Sequence, residues 1–283
     1  MTLQILLTND DGIFSPGIAV LRRALEGLGE VTTIAPDHDS SAVARAITLE
    51  RGLRVCAASF GGGYEGLACD GTPSDCVRVG LLGIRAPVPA LVISGVNMGS
   101  NMGADITYSG TVGAAFEGAL RGLPAIAFSV EHFEPRWLDE AVPVFRALVE
   151  EVIARGLPRH SVLNVNLPDR PLAEMAGIRP ARLGGASCHD RVLLHENGAG
   201  PASPAGDDGL RPPALTAAAG SLDGVREYYV PCEEPTAAEW AGTDFAAVAD
   251  GYVAVTPLQY HLLDAELLSQ LSNWNLDLDQ ARA

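Results

Sequence analysis

Apolar positions along this chain fall into short blocks that alternate between two spacings. The run LQILLT (3–8) is apolar almost throughout and stops at Asn9-Asp10-Asp11-Gly12, the pattern of a strand buried in a parallel sheet. Next, PGIAVLRRALEGLG (16–29) carries apolar residues at helical spacing, with Pro16 near its start and Gly29 at its end, and predicts a helix. EVTTIAP (30–36) reads as a second strand. After it come a helical pattern over 75–84, a strand PALVISGV (89–96), a helix over 114–123 and a strand AIAFSV (125–130). A helix over 138–156 and a strand SVLNVNLP (161–168) complete the regular part. In GTDFAAVADGYVAVTPL (242–258), Thr243 is a helix N-cap before a short helix and Gly251 starts a last strand. This alternation predicts an α/β fold, a three-layer Rossmann-like and mostly parallel sheet with helices on both faces.

The organisation expected is a single domain over 1–283, with its core at about 1–183 and 242–265. The stretch 184–235 is rich in Gly, Ala, Pro and Ser and poor in periodicity, so it reads as an extended arm or hairpin excursion. Tyr228, Tyr229 and Val230 form an apolar cluster in it that a monomer would expose, which points to contact with a second subunit.

Composition then narrows the chemistry. Hydrophobic residues at 47% and charged residues at 19% suit a folded globular protein. With 35 acidic against 19 basic residues the formal charge is -16, which argues against a nucleic-acid polymer or an anionic membrane surface as partner. All 19 basic residues are Arg; a Walker-A lysine, a Schiff-base lysine and a lysine general base are excluded together. The five cysteines (Cys56, Cys69, Cys76, Cys188, Cys232) match neither a disulfide framework nor a zinc spacing and read as reduced thiols of a cytoplasmic protein. The first residues lack a basic signal-peptide region, and no run reaches the roughly 18 apolar residues of a membrane span.

Three loops carry candidate chemistry. Asn9-Asp10-Asp11-Gly12 follows the first strand, where ligands bind in open α/β sheets. Adjacent carboxylates repel unless a cation or hydrogen bonds compensate, so the pair reads either as a site for a hard divalent metal or as an Asx-rich turn capping the next helix. Ser40-Ser41, after the second strand, offers hydroxyl oxygens at the same end. In the glycine-rich stretch 94–129 the chain leaves a strand and enters a helix at about Thr111. Free N–H groups of Ser109, Gly110 and Thr111 would make an anion site there, and Asn97 and Asn101 add amides on the same loop, one a potential metal ligand through its carbonyl oxygen and the other a donor to an anion. Gly61–Gly66 matches GxGxxG but opens no helix and reads as a surface turn. The six histidines show no metal-binding spacing, and His38, beside the site loop, reads as a solvated loop residue.

Together TNDDG (8–12), APD with Ser41 (35–41), DGTPSDCV (70–77), SGVNMGSNMGADITYSGTVGAAFEG (94–118), LNVNLP (163–168) and 242–258 resemble the survival protein SurE family over nearly the whole chain. The resemblance implies a metal-dependent nucleotidase that hydrolyses nucleoside monophosphates, with one divalent cation per subunit, Mg²⁺ or Mn²⁺. It places the metal on Asp10, Asp11, Ser41 and Asn97, and the phosphate on Ser109, Gly110 and Thr111. On this reading Asp10, Asp11 and Asn97 are the catalytic set, Asn101 joins the phosphate-binding residues, and the protein is a homodimer or tetramer. Ser40 stands where the family often has Arg, and its tryptophan-containing YYW segment appears here as REYYVPCEE. Alternatives on the same site are a general or short-chain polyphosphate phosphatase and a nucleotide-binding assembly protein without turnover. A haloacid-dehalogenase-type phosphatase fits less well, because its aspartates stand one residue apart and it needs a lysine.

Overall fold

The computed structural model describes residues 2–83, 88–185, 189–190, 193–195, 227–229, 232–233, 241–260, 263–271 and 273–274. In chain order the described strands and α-helices begin with β1 (Gln4–Thr8), α1 (Pro16–Ala24), β2 (Glu30–Pro36), β3 (Val55–Phe60), β4 (Tyr64–Cys69) and α2 (Pro73–Leu82). They continue with β5 (Leu91–Met98), α3 (Gly110–Leu120), β6 (Ala125–Val130), α4 (Val142–Arg155), β7 (Ser161–Leu167) and β8 (Gly177–Pro180). The last are β9 (His189–Asp190), β10 (Leu193–His195), β11 (Glu227–Tyr229), β12 (Cys232–Glu233), α5 (Asp244–Ala249), β13 (Tyr252–Gln259) and α6 (Ala265–Leu271).

Nine strands form one sheet in the order β3-β4-β2-β1-β5-β6-β7-β13-β8. From β4 to β7 every neighbour is parallel. Successive residues of β1 feed opposite layers: Ile5 and Leu7 pack with α1 and α4 residues, whereas Leu6 packs with those of α2 and α3. The three-layer α/β expectation is met, because strands of this kind need apolar cover on both faces.

Three features differ from the sequence reading. The glycine run joins two antiparallel strands, β3, mostly small and exposed, and β4, mostly half-buried, neither of which carries a period-two signal. The last long strand, β13, is antiparallel to β7, and β8 adds an edge beside it. Helix α1 ends at Ala24, where Arg22 and Arg23 close the last turn, not at Gly29. Within 184–235 the described residues form two small antiparallel pairs, β10 with β11 and β9 with β12. The side chains of Tyr228 and Tyr229, and most of that stretch, lie outside the described residues. Among the described residues no helix is long and apolar enough to cross a membrane.

Candidate active site

The site is assembled at the carboxyl ends of β1, β2 and β5, against the N-terminus of α3. After β1 the chain turns through Gly12, whose φ of 92° favours glycine; a Cβ there would stand 3.2 Å from the His38 backbone. The Asn9 side-chain amide fixes this turn by donating to the Gly12 carbonyl and the Ser15 hydroxyl, both at 2.9 Å. The Asp10 carbonyl accepts the Ser40 N–H at 2.8 Å, which ties in the loop after β2.

The Asp10 side chain is buried at the start of α3. It accepts the Thr111 N–H at 3.0 Å and also the Thr111 hydroxyl. A carboxylate at a helix N-terminus is where donors and dipole both favour negative charge. Burial nevertheless dominates and pushes Asp10 up to about 6 against those two hydrogen bonds. For Asp11, burial and then the neighbouring Asp10 charge push it up to about 8, opposed by a hydrogen bond from the Met98 backbone. Its Oδ2 is buried without a partner among the described residues. Asp39 adds negative charge to both.

Asn97 reaches the same place from β5. The pairing of β5 with β6 slips between Ser94 and Asn97, which resets the side-chain alternation just before the strand ends. Its Nδ2 donates to the Gly99 carbonyl at 2.6 Å, and its Oδ1 lies 3.4 Å from the Thr111 hydroxyl. Asp10, Thr111 and Asn97 are thus one cluster, with Asp11 coupled to it through Asp10.

Ser41 is not brought against Asp10 or Asp11. It is exposed, and both its N–H (2.8 Å) and its hydroxyl (2.6 Å) donate to Asp39, while Ser40 is the buried member of the pair. The row of free N–H groups expected at Ser109, Gly110 and Thr111 also needs correction. Thr111's N–H is committed to Asp10, and Ser109's reaches the Ile106 carbonyl at 3.4 Å. Ser109 caps α3, its Oγ accepting the Val112 N–H at 3.1 Å. Glycine is required at 110 because a Cβ would stand 2.8 Å from Asp10 Oδ2.

Asn101, expected to donate to an anion, is turned into the protein. Its Nδ2 donates to the Ser129 hydroxyl at 2.8 Å and its N–H to Asn166 Oδ1 at 2.8 Å. Its carbonyl accepts from Nδ2 of both Asn164 and Asn166, each at 2.8 Å. A buried loop has to satisfy its backbone, and here β7 does so. Asn164 and Asn166 therefore hold the site loop, a role missed in LNVNLP, although two Asn at alternate positions of an apolar strand share one face. Asp244, also missed, is buried and accepts N–H groups from Gly103 (2.9 Å), Gly184 (2.9 Å) and Phe245 (3.1 Å), clamping the far end of the same loop. Its only local signal was a position just after an N-cap.

The pattern of the family Survival protein SurE matches residues 5–190. This chain belongs to the SurE family. It is 38% identical over 272 residues to the protein named 5'-nucleotidase SurE of Alkalilimnicola ehrlichii, covering 96% of this chain and 95% of the other. To the protein of the same name in Azotobacter vinelandii it is 40% identical over 276 residues, covering 98% and 100%. Among solved structures, the SurE protein from Aquifex aeolicus superposes with a TM-score of 0.77 at 35% identity, covering 95% of this chain and 98% of that one.

The donor set of this SurE-family chain suits a hard cation. Among the described residues no three His, Cys, Asp or Glu are grouped to hold a metal. Any cation would therefore rest on mixed oxygens: two carboxylates, the Asn97 amide and a hydroxyl. Asp11 Oδ2 supplies the orphaned buried oxygen, and burial pushes both carboxylates above their ordinary range, so a cation held there would offset their charge.

Proposed function

We propose that this SurE-family phosphoric monoester hydrolase releases inorganic phosphate from nucleoside monophosphates, with a single divalent cation, Mg²⁺ or Mn²⁺, held by Asp10, Asp11 and Asn97. The remaining protein oxygen would come from the Ser41 hydroxyl on leaving Asp39, or from the buried Ser40 beside it. The observation that carries this reading is the adjacent pair Asp10, buried at the start of α3, and Asp11, half-buried with its Oδ2 unpartnered among the described residues. A cation held by these residues would supply activation of a water and neutralisation of phosphoryl oxygens.

The chain's own residues do the rest. Thr111 holds Asp10 from two sides, so the carboxylate stays fixed at the mouth of α3. The bulge in β5 presents Asn97 from the opposite wall. Gly110 keeps the helix start free of a side chain, so that its N–H and the Ser109 hydroxyl can approach a phosphoryl group closely. The names of the curated relatives support the nucleotide as substrate. Homo-oligomerisation through the 184–235 arm and a cytoplasmic location are part of the same proposal.

The test is phosphate release from adenosine and guanosine monophosphates with Mn²⁺ or Mg²⁺, and with a chelator. Turnover that needs the cation and disappears in both Asp10→Asn and Asp11→Asn is the expected result. Near-normal turnover by either variant would end the assignment.

A further inference from the structure

A cavity of about 770 Å³ opens beside the candidate phosphate turn and shares Ser109 with it. One stripe of α3 forms its wall, since Ser109, Gly113 and Phe116 follow one another at helical spacing of four and three. The site carboxylates meet α3 at Gly110 and Thr111, so the cavity and the carboxylates flank the same helix start. Opposite α3 stands the loop 43–46, held close because a Cβ at Gly113 would lie 2.6 Å from the Ala44 carbonyl. The Ala44 N–H also donates to the Tyr108 carbonyl at 2.9 Å.

The lining is mostly apolar and aromatic, with Thr107, Ser109 and Gln259 as neutral polar residues and Arg45 as its one cation among the described residues. Ile106, Leu183, Pro257 and Leu258 contribute apolar surface. The rings of Phe116 and Tyr260 meet edge to face, 6.2 Å between centroids at 63°. Arg45 lies over the Tyr260 ring, its guanidinium carbon 4.7 Å from the centroid, with a nitrogen 3.4 Å from the phenol oxygen. All three side chains are half-buried, so each keeps a face open to the cavity. A volume in the range of small-molecule sites, aromatic faces and a single planar cation suit a flat heteroaromatic ring with polar edges. From Ser109 to Phe116 the helix rises roughly 10 Å, a span comparable with an ester phosphate, a ribose and a base laid end to end.

We infer that this cavity is the nucleoside subsite: the phosphate stays at the Ser109–Gly110 turn while the ribose and base lie along α3, the base against Tyr260, Phe116 and Arg45. The inference rests on the nucleotidase reading for the phosphate end only. It makes Arg45 and Tyr260 residues that set specificity and act by binding the leaving nucleoside, not by chemistry at phosphorus.

Two measurements separate the inference from that reading. The first is binding of adenosine, which has no phosphate, to the metal-free protein, followed by ligand-observed NMR at millimolar concentration. The second is the ratio of kcat/KM for adenosine monophosphate to that for ribose 5-phosphate. Tyr260→Ala and Arg45→Ala should each weaken adenosine binding roughly 10-fold and lower the ratio by a similar factor, while Tyr260→Phe retains most of both. If no phosphomonoester is cleaved but adenosine binds and Tyr260→Ala loses it, the nucleotidase reading fails and the subsite stands. Absence of adenosine binding to the unmodified protein overturns the subsite, as does an unchanged ratio in both alanine variants. A variant that loses its oligomeric state in light scattering with the ratio unmoved also overturns it, because the groove would then be covered by a second copy.

Discussion

Replacing Asp11 by Asn removes a charge that the folded chain accommodates poorly without a cation. In the unfolded chain Asp11 has the ordinary carboxylate value of 3.8, and in the folded protein burial and Asp10 push it up to about 8. The folded state therefore holds more protons than the unfolded state between those values, and stability falls as pH rises through them. At pH 7 the gap is about three pH units, worth about 4 kcal/mol at 1.36 kcal/mol per unit. An amide stays neutral at every pH, and after allowing for its extra donor Asp11→Asn should recover about 2–4 kcal/mol. For a chain of this size that corresponds to a rise in Tm on the order of 5–10 °C. The assay is thermal melting in chelator from pH 4 to pH 8, for both proteins. The difference between them should vanish near pH 4 and grow towards pH 8; a residual fall confined to pH 4–6 in the variant would report Asp10, pushed up to about 6. Added Mn²⁺ should raise Tm of the unmodified protein and move the variant far less, since only a ligand that binds the folded state stabilises it. A variant that melts at or below the unmodified protein in chelator at pH 7.5, by an amount independent of pH, would refute the reasoning.

Gly110→Val should raise KM or stop turnover, because its Cβ would meet Asp10 at 2.8 Å, whereas Thr111→Ser keeps both donors to Asp10 and should be mild; equal damage in steady-state assays would shift the role to the Thr111 side chain. Asn166→Ala removes two hydrogen bonds from the buried Asn101 backbone and should cost about 2–3 kcal/mol in urea unfolding, with a fall in kcat from the loosened site loop. Light scattering should return at least a dimer. Deletion of 198–220, which lies outside the described residues, should spare it, and changing Tyr228 and Tyr229 to Ser should weaken it; a concentration-independent monomer for the unmodified chain is the contrary result.

The sequence by itself determined what depends on local burial and local dihedral preference. Continuous apolar runs marked β1, β5, β6 and β7, because a parallel strand is covered on both faces and needs no polar alternation. Abrupt polar stops after those runs placed Asp10, Asp11 and Asn97 at the strand ends where such sheets bind ligands. Thr243 announced a helix start, since caps satisfy N–H groups within a few residues, whereas the helical pattern read from 75 onward missed the Thr72 cap and Pro73 that open α2. Only the tertiary structure decided the pairings made across long stretches of chain. Asp10 and Thr111 are 101 positions apart, so nothing local reveals that the Thr111 N–H serves a carboxylate and is not free for an anion. Asn101 and Asn166 are 65 apart, and their bond turns an expected surface donor into a buried anchor. The direction of β13 was equally out of reach, because hydrophobic spacing reports which face of a strand is covered and carries no information on which way its neighbour runs.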